Sequence, residues 1–114
     1  MPANKRLVAW KLTYGLARQA HAAHFPGRRF GSDIGMLFVL GAMIATHNEG
    51  LVASVSNVAH YVDMPRETTR RMLRELERLG IAARTGDTYA PSGNTDIGYA
   101  EKMARFIKET TKGL

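Results

Sequence analysis

The sequence predicts a mainly α chain with one small β-hairpin, organised as a single domain. Three features point there. Apolar residues recur at helical spacing through residues 4–25, 33–47, 65–79 and 95–112. One strand–turn–strand pattern, residues 81–90, stands between the last two of these. The length, 114 residues, suits one domain with a core of its own.

In residues 4–25, Leu7, Trp10, Tyr14, Ala17, His21 and Phe25 make one stripe, and Val8, Leu12, Leu16 and Ala20 make a second. A helix apolar on two sides packs against two things, here the body of the domain and a partner chain. Pro26-Gly27 ends it, with Arg28 and Arg29 in the connector. The second helix, 33–47, starts with Ser32 or Asp33 as N-cap. Its apolar positions are Ile34, Leu37, Phe38, Ile44 and Ala45, with Met36, Leu40 and Met43 at the sides. Gly35 and Gly41 weaken it unless close packing uses their small size.

Leu51-Val52-Ala53 reads as a brief strand, and Ser54 then caps a short helix from Val55 to about Val62. Asp63-Met64 breaks that helix, and Pro65 suits the first turn of the next, which runs to about Leu79 before Gly80. Ile81–Arg84 and Thr88–Ala90 form the hairpin around Thr85-Gly86-Asp87. Pro91-Ser92-Gly93-Asn94 connects to the last helix, whose apolar stripe is Ile97, Ala100, Met103, Phe106 and Ile107.

The net charge is +6 and is unevenly distributed. Residues 1–32 hold six Lys/Arg and no acid, 33–64 three acids and no Lys/Arg, and 65–92 six arginines against four acids. A small basic domain favours an anionic partner, nucleic acid above all. On the helix 65–79, Thr69, Met72, Leu73, Leu76 and Leu79 fall on one side, and Glu67, Arg70, Arg71, Arg74 and Arg78 on the other. Arg66, Arg70, Arg74 and Arg78 also stand at successive i+4 steps. Each like-charge step costs an isolated helix about 0.2–0.5 kcal/mol, which Glu67–Arg71 and Glu75–Arg78 pairing offsets in part. An arginine row kept at a cost points to an anion.

Residues 54–91, SVSNVAHYVDMPRETTRRMLRELERLGIAARTGDTYAP, resemble the winged helix-turn-helix of bacterial transcription regulators of the MarR and IclR types. Val58-Ala59 matches the apolar–Ala pair of the first motif helix, and Met64 the apolar residue after the turn. The run Pro65, Glu67, Thr68, Thr69, Arg71, Met72, Leu73 resembles the start of a recognition helix, and Leu76, Leu79, Gly80, Ile81 its exit into the wing. Asp63 departs from the usual glycine, but Asp is among the few residues that tolerate a left-handed turn.

The resemblance implies a winged helix-turn-helix core at 33–91, flanked by helices at 4–25 and 95–112, in one domain spanning 1–114. It implies a sequence-specific regulator bound to double-stranded DNA, with the recognition helix 65–79 in the major groove and the wing 81–90 near the minor groove. Arg66, Glu67, Arg70 and Arg71 are then the candidate base readers: Arg pairs with guanine and Glu accepts from cytosine. Arg74, Arg78, Thr68, Ser54 and Ser56 are placed for phosphates, and Arg84 and Thr85 for the wing contact. A homodimer reading two half-sites is implied too, with Leu7, Trp10, Tyr14, Met103, Phe106 and Ile107 at its interface. The competing class is a winged helix that docks its arginines on an acidic protein.

Other functions find little support. No P-loop, dinucleotide fingerprint, zinc-protease or nucleophile-elbow motif occurs, so no catalytic residue is expected. Asp33 and Glu49 are isolated carboxylates near helix ends, where capping explains them. His21 and His24 are spaced to face one ion, but with no cysteine in the chain and no acid within residues 1–32, neither a metal site nor a cofactor is expected; His47 and His60 stand apart. Trp10, Tyr14 and Phe25 read as core or dimer interface, and Met36, Met43, Met64, Met72 and Met103 as core filler. The longest apolar stretch, Ile34–Ala45, is short for a membrane span, and MPANKRLVAWKL lacks a signal's apolar region. The expectation is a cytoplasmic protein without a membrane partner. The MarR resemblance allows a small-molecule effector between the winged helix and the dimer helices, but no residue pattern supports one.

Overall fold

The computed structural model describes residues 4–93 and 98–114. The chain falls into two compact units, Met1–Phe30 with Thr95–Leu114, and Gly31–Asn94. Asn94 and Ile97, assigned above to a connector and to a helical stripe, lie outside the described residues.

The first unit pairs α1 (Lys5–His24) with α5 (Tyr99–Thr110). Asn4 caps α1, its Oδ1 accepting from Leu7 N–H at 3.0 Å. The Phe25 N–H closes the other end on the His21 carbonyl at 2.7 Å. The first α1 stripe divides along its length. His21 and Phe25 are buried, while Leu7, Trp10 and Tyr14 remain exposed. Aromatic contacts order the lower half: the His21 ring meets Phe25 at 5.4 Å and Phe30 edge-on at 5.5 Å, and Tyr14 meets Phe30 edge-on at 5.7 Å. The second stripe, Val8, Leu12, Leu16 and Ala20, is half-buried. Gly15 lets α5 approach, because a Cβ there would overlap the Phe106 ring.

The second unit is a winged helix-turn-helix. It comprises α2 (Phe30–Asn48, entering the unit at Gly31), α3 (Val55–Val62), α4 (Arg66–Arg78) and the antiparallel pair β1 (Ala82–Thr85) and β2 (Thr88–Pro91). Val39, Leu40 and Met43 of α2, Val58 and Ala59 of α3, and Leu73 and Leu76 of α4 form its core, with Ala53, Ala82 and Tyr89.

α2 differs from expectation in two ways. It starts at Phe30, so Asp33 is a buried acid in the first turn and not a cap. An acid in that position complements the helix dipole. Its buried face is also rotated: Met36, Leu37, Val39, Leu40, Ala42, Met43 and Thr46 are inside, whereas Ile34 and Phe38 are exposed by 41% and 56%. The helix is apolar nearly all round, so periodicity alone does not choose its face. At 19 residues it is long and apolar enough to cross a membrane, longer than the stretch read from sequence. Here its inner side forms the core of the winged helix.

Three helices end in the same way. Gly50 N–H bonds to His47 O and Leu51 N–H to Thr46 O; Asp63 to His60 and Met64 to Ala59; Gly80 to Glu77 and Ile81 to Leu76. This is the Schellman pattern, which requires a left-handed residue in the middle. Gly80 supplies it at φ 78°, and Asp63 supplies it at φ 57° without being glycine. The turn between α3 and α4 therefore forms as the tolerance of Asp for that conformation allows.

The hairpin lies one residue later than the sequence suggests, pairing Ala82 with Pro91 and Thr85 with Thr88. Its loop is then two residues, Gly86-Asp87, with Gly86 at φ 62° where a type II′ turn takes glycine. Leu51–Ala53 is not a strand. It touches the wing through the Ser54–Thr88 bridge and the Tyr89 N–H on Ala53 O at 2.9 Å.

Candidate nucleic-acid interface

α4 separates its residue types cleanly. Thr69, Leu73 and Leu76 are buried, with Met72 and Leu79 half-buried. Glu67, Arg71, Arg74 and Arg78 are exposed, and Arg66 joins them. Pro65 starts the helix without a side-chain cap. A helix start leaves N–H groups without intrahelical partners, and they suit an anion such as phosphate. Thr68 sits half-buried in that first turn.

The arginine row has two sides. On one, Arg66, Arg70 and Arg74 line a cleft of about 250 Å³ together with Arg84 and Gly86 of the wing and Ser54 and Ser56 at the start of α3. Four arginines meet one acid there, Asp87. On the other side, Arg70, Arg71, Arg74 and Arg78 share a shallow surface with Glu67 and Glu75. α4, the wing and the start of α3 thus line one basic region. Thr85, exposed near the hairpin tip, does not line the cleft; its carbonyl accepts from Thr88 Oγ1 at 2.9 Å.

Ion pairs distinguish the arginines. Arg70 pairs with Glu67 at i,i+3, in place of the Glu67–Arg71 pair that spacing suggests. Arg78 donates from Nε to Glu75 at 2.9 Å, and this carboxylate holds its guanidinium above the usual pKa. Arg84 folds back on Glu77 at 3.3 Å, and so ties β1 to α4. Arg66, Arg71 and Arg74 show no ion pair among the described residues. Exposed pairs of this kind contribute little stability. Their effect is to orient Arg70, Arg78 and Arg84 while the other three remain available to an external anion.

Two supporting residues escape sequence reading. Asn57 donates through Nδ2 to Val52 O at 2.7 Å and through its backbone N–H to Ser54 Oγ at 3.1 Å, which fixes the loop before α3. Glu77 positions Arg84 across the Gly80 turn. Asn57 beside the Ser54 cap was a readable signal; the Glu77–Arg84 pair depends on tertiary structure. The candidate dimer residues divide between exposed Leu7, Trp10, Tyr14 and Ile107 and half-buried Met103 and Phe106. His21 and His24 do not converge: His21 is buried between rings, and His24 donates from Nδ1 to Ala20 O at 3.0 Å. No group of metal-ligating side chains occurs among the described residues.

The IclR helix-turn-helix domain family matches residues 42–86, from the second half of α2 through α3 and α4 to the hairpin turn. Residues 42–86 are thus similar to an IclR-type helix-turn-helix domain. The winged helix is therefore a DNA-binding element of the kind that transcription regulators carry. The IclR match ends at Gly86, inside the hairpin, and includes every α4 arginine as well as Arg84. No curated protein and no solved structure matches the chain significantly.

Proposed function

We propose that the chain is a sequence-specific regulator of transcription that binds double-stranded DNA as a homodimer. The observation that carries this reading is the single basic region shared by α4 and the wing. A protein that reads DNA with both elements needs their charges together. In this reading residues 65–79 enter the major groove, where Arg66, Arg70 and Arg71 address base edges. Glu67 orients Arg70 and is available to a cytosine amino group. Arg74, Arg78, Thr68, Ser54 and Ser56 hold phosphates, and the wing, 81–90, brings Arg84 and Thr85 toward the minor groove. Ser54 already caps α3, but its hydroxyl proton can still be donated to a phosphate oxygen.

The exposed apolar side chains Leu7, Trp10, Tyr14 and Ile107 favour a second copy as partner, with half-buried Met103 and Phe106 contributing from α5. Two-fold symmetry would then match an inverted repeat. Such a protein acts where the chromosome is, the cytoplasm in the bacterial setting that the resemblance implies.

Selection from a random duplex pool tests the reading, with Arg70→Ala/Arg71→Ala alongside. Enrichment of an inverted repeat by the wild type alone is expected. No enrichment by either protein at low salt would overturn it in favour of an acidic protein partner. A clean monomer in sedimentation at tens of micromolar would remove the dimer.

A further inference from the structure

Three carboxylates of α4 pair with arginines, and they stand differently. In Glu75–Arg78 and Glu77–Arg84 the arginine side chain is the more exposed member, 67% against 35% and 42% against 36%. In Glu67–Arg70 the order is reversed: Glu67 is exposed by 82% and Arg70 by 35%. Of these three pairs, only this one sets the acid outside its arginine.

Arg70 lines both sides of the row, the cleft with Arg66, Arg74 and Arg84 and the shallow surface with Arg71, Arg74 and Arg78. A backbone phosphate can recruit Arg66, Arg71 or Arg74 without displacing a carboxylate, since none of them shows an ion pair among the described residues. To recruit Arg70 it has to approach past Glu67, and the bare carboxylate stays beside it once the pair opens. While the pair holds, its charges cancel, and Arg70 adds nothing to the counterions released from the duplex. A base pair is a different partner. Guanine offers acceptors to the arginine, and the cytosine opposite offers an amino donor to the glutamate, so both charges can be met together.

We propose that Glu67 withholds Arg70 from the phosphate backbone and so suppresses binding to duplexes of arbitrary sequence. Glu67 is then a positioning residue for selectivity, acting through Arg70. This rests on the DNA reading above and adds to the base contact given to Glu67 there. It does not need the dimer.

Binding of the full chain to a scrambled duplex at several salt concentrations tests it, with wild type, Glu67→Gln, Arg70→Gln and the double variant compared. Glutamine keeps the reach of Glu67 and suits a helix, and circular dichroism checks that each variant is folded. Glu67→Gln should bind the scrambled duplex more tightly at low salt. It should also be more salt-sensitive, by a slope of about 0.9, which is a further loss of about three- to fourfold between about 50 and 200 mM salt. On the sequence enriched from the random pool the gain should be smaller, so the ratio of matched to scrambled affinity falls. In the Arg70→Gln background, Glu67→Gln should change neither slope nor affinity. Equal steepening in both backgrounds would overturn the proposal, because Glu67 would then act by its charge alone. An unchanged slope in Glu67→Gln would overturn it too, while leaving the DNA reading in place if the wild type binds its enriched sequence. If none of the four proteins binds any duplex at low salt, the DNA reading and this role fall together.

Discussion

Val39, Met43, Val58, Leu73 and Leu76 of the winged helix are wholly out of water, whereas α5 in the other unit buries none of its residues. The winged helix closes on a core drawn from three helices. The α1–α5 unit relies on tilted and edge-on ring contacts of His21 with Phe25 and Phe30, and exposes Trp10 by 65%. The first arrangement is self-sufficient. The second leaves apolar surface and a cleft. Charge divides in a complementary way, because α4 turns a row of arginines outward above a buried apolar face.

The contrast in packing is tested most severely by truncation. Leu73→Ala should destabilise the winged helix by about 2–5 kcal/mol, the cost of a cavity at a fully buried leucine. Met103→Ala, at a half-buried site, should cost clearly less. Thermal unfolding and amide exchange of both variants would measure this, and equal losses would break the comparison. Next in size are the arginines. Arg71→Ala should cost about 1–3 kcal/mol of DNA affinity and relax sequence choice, if Arg71 reads a base. Arg74→Ala should weaken all sequences alike and reduce the salt slope by about 1. Binding isotherms on matched and scrambled duplexes at several salt concentrations separate the two.

A smaller effect is expected at the turn. Asp63→Gly relieves a left-handed non-glycine residue and should raise stability by about 0.5–1 kcal/mol; a loss would mean that the carboxylate has a role of its own. The smallest effect concerns Tyr99. Its folded pKa is raised above 10.0 by burial, so its contribution is present below pH 10 and is lost as pH rises through the folded value. Tyr99→Phe should flatten the fall in melting temperature on the alkaline side, and an unchanged profile would show that the hydroxyl is solvated.

The two faces of α4 are legible because its chemistry is segregated in the sequence. Leucines and arginines on α4 occupy opposite sides, so one wheel identifies both faces. α2 offers no such contrast. With apolar residues on every side, only packing shows that Ile34 and Phe38 point outward. Local spacing suggested Glu67–Arg71, but side-chain geometry selected Arg70. The Glu77–Arg84 tie and the α1–α5 cleft were illegible for a different reason. Each joins segments that the chain brings together only through its turns.

The three Schellman ends of α2, α3 and α4 are made by main-chain groups alone. No side chain on the outward surface of α4 is needed to terminate a helix. The outward positions of α4 can therefore change identity while the scaffold beneath them keeps its shape. A fold organised in this way can present a new set of outward side chains after a few substitutions, with little risk to the framework beneath them.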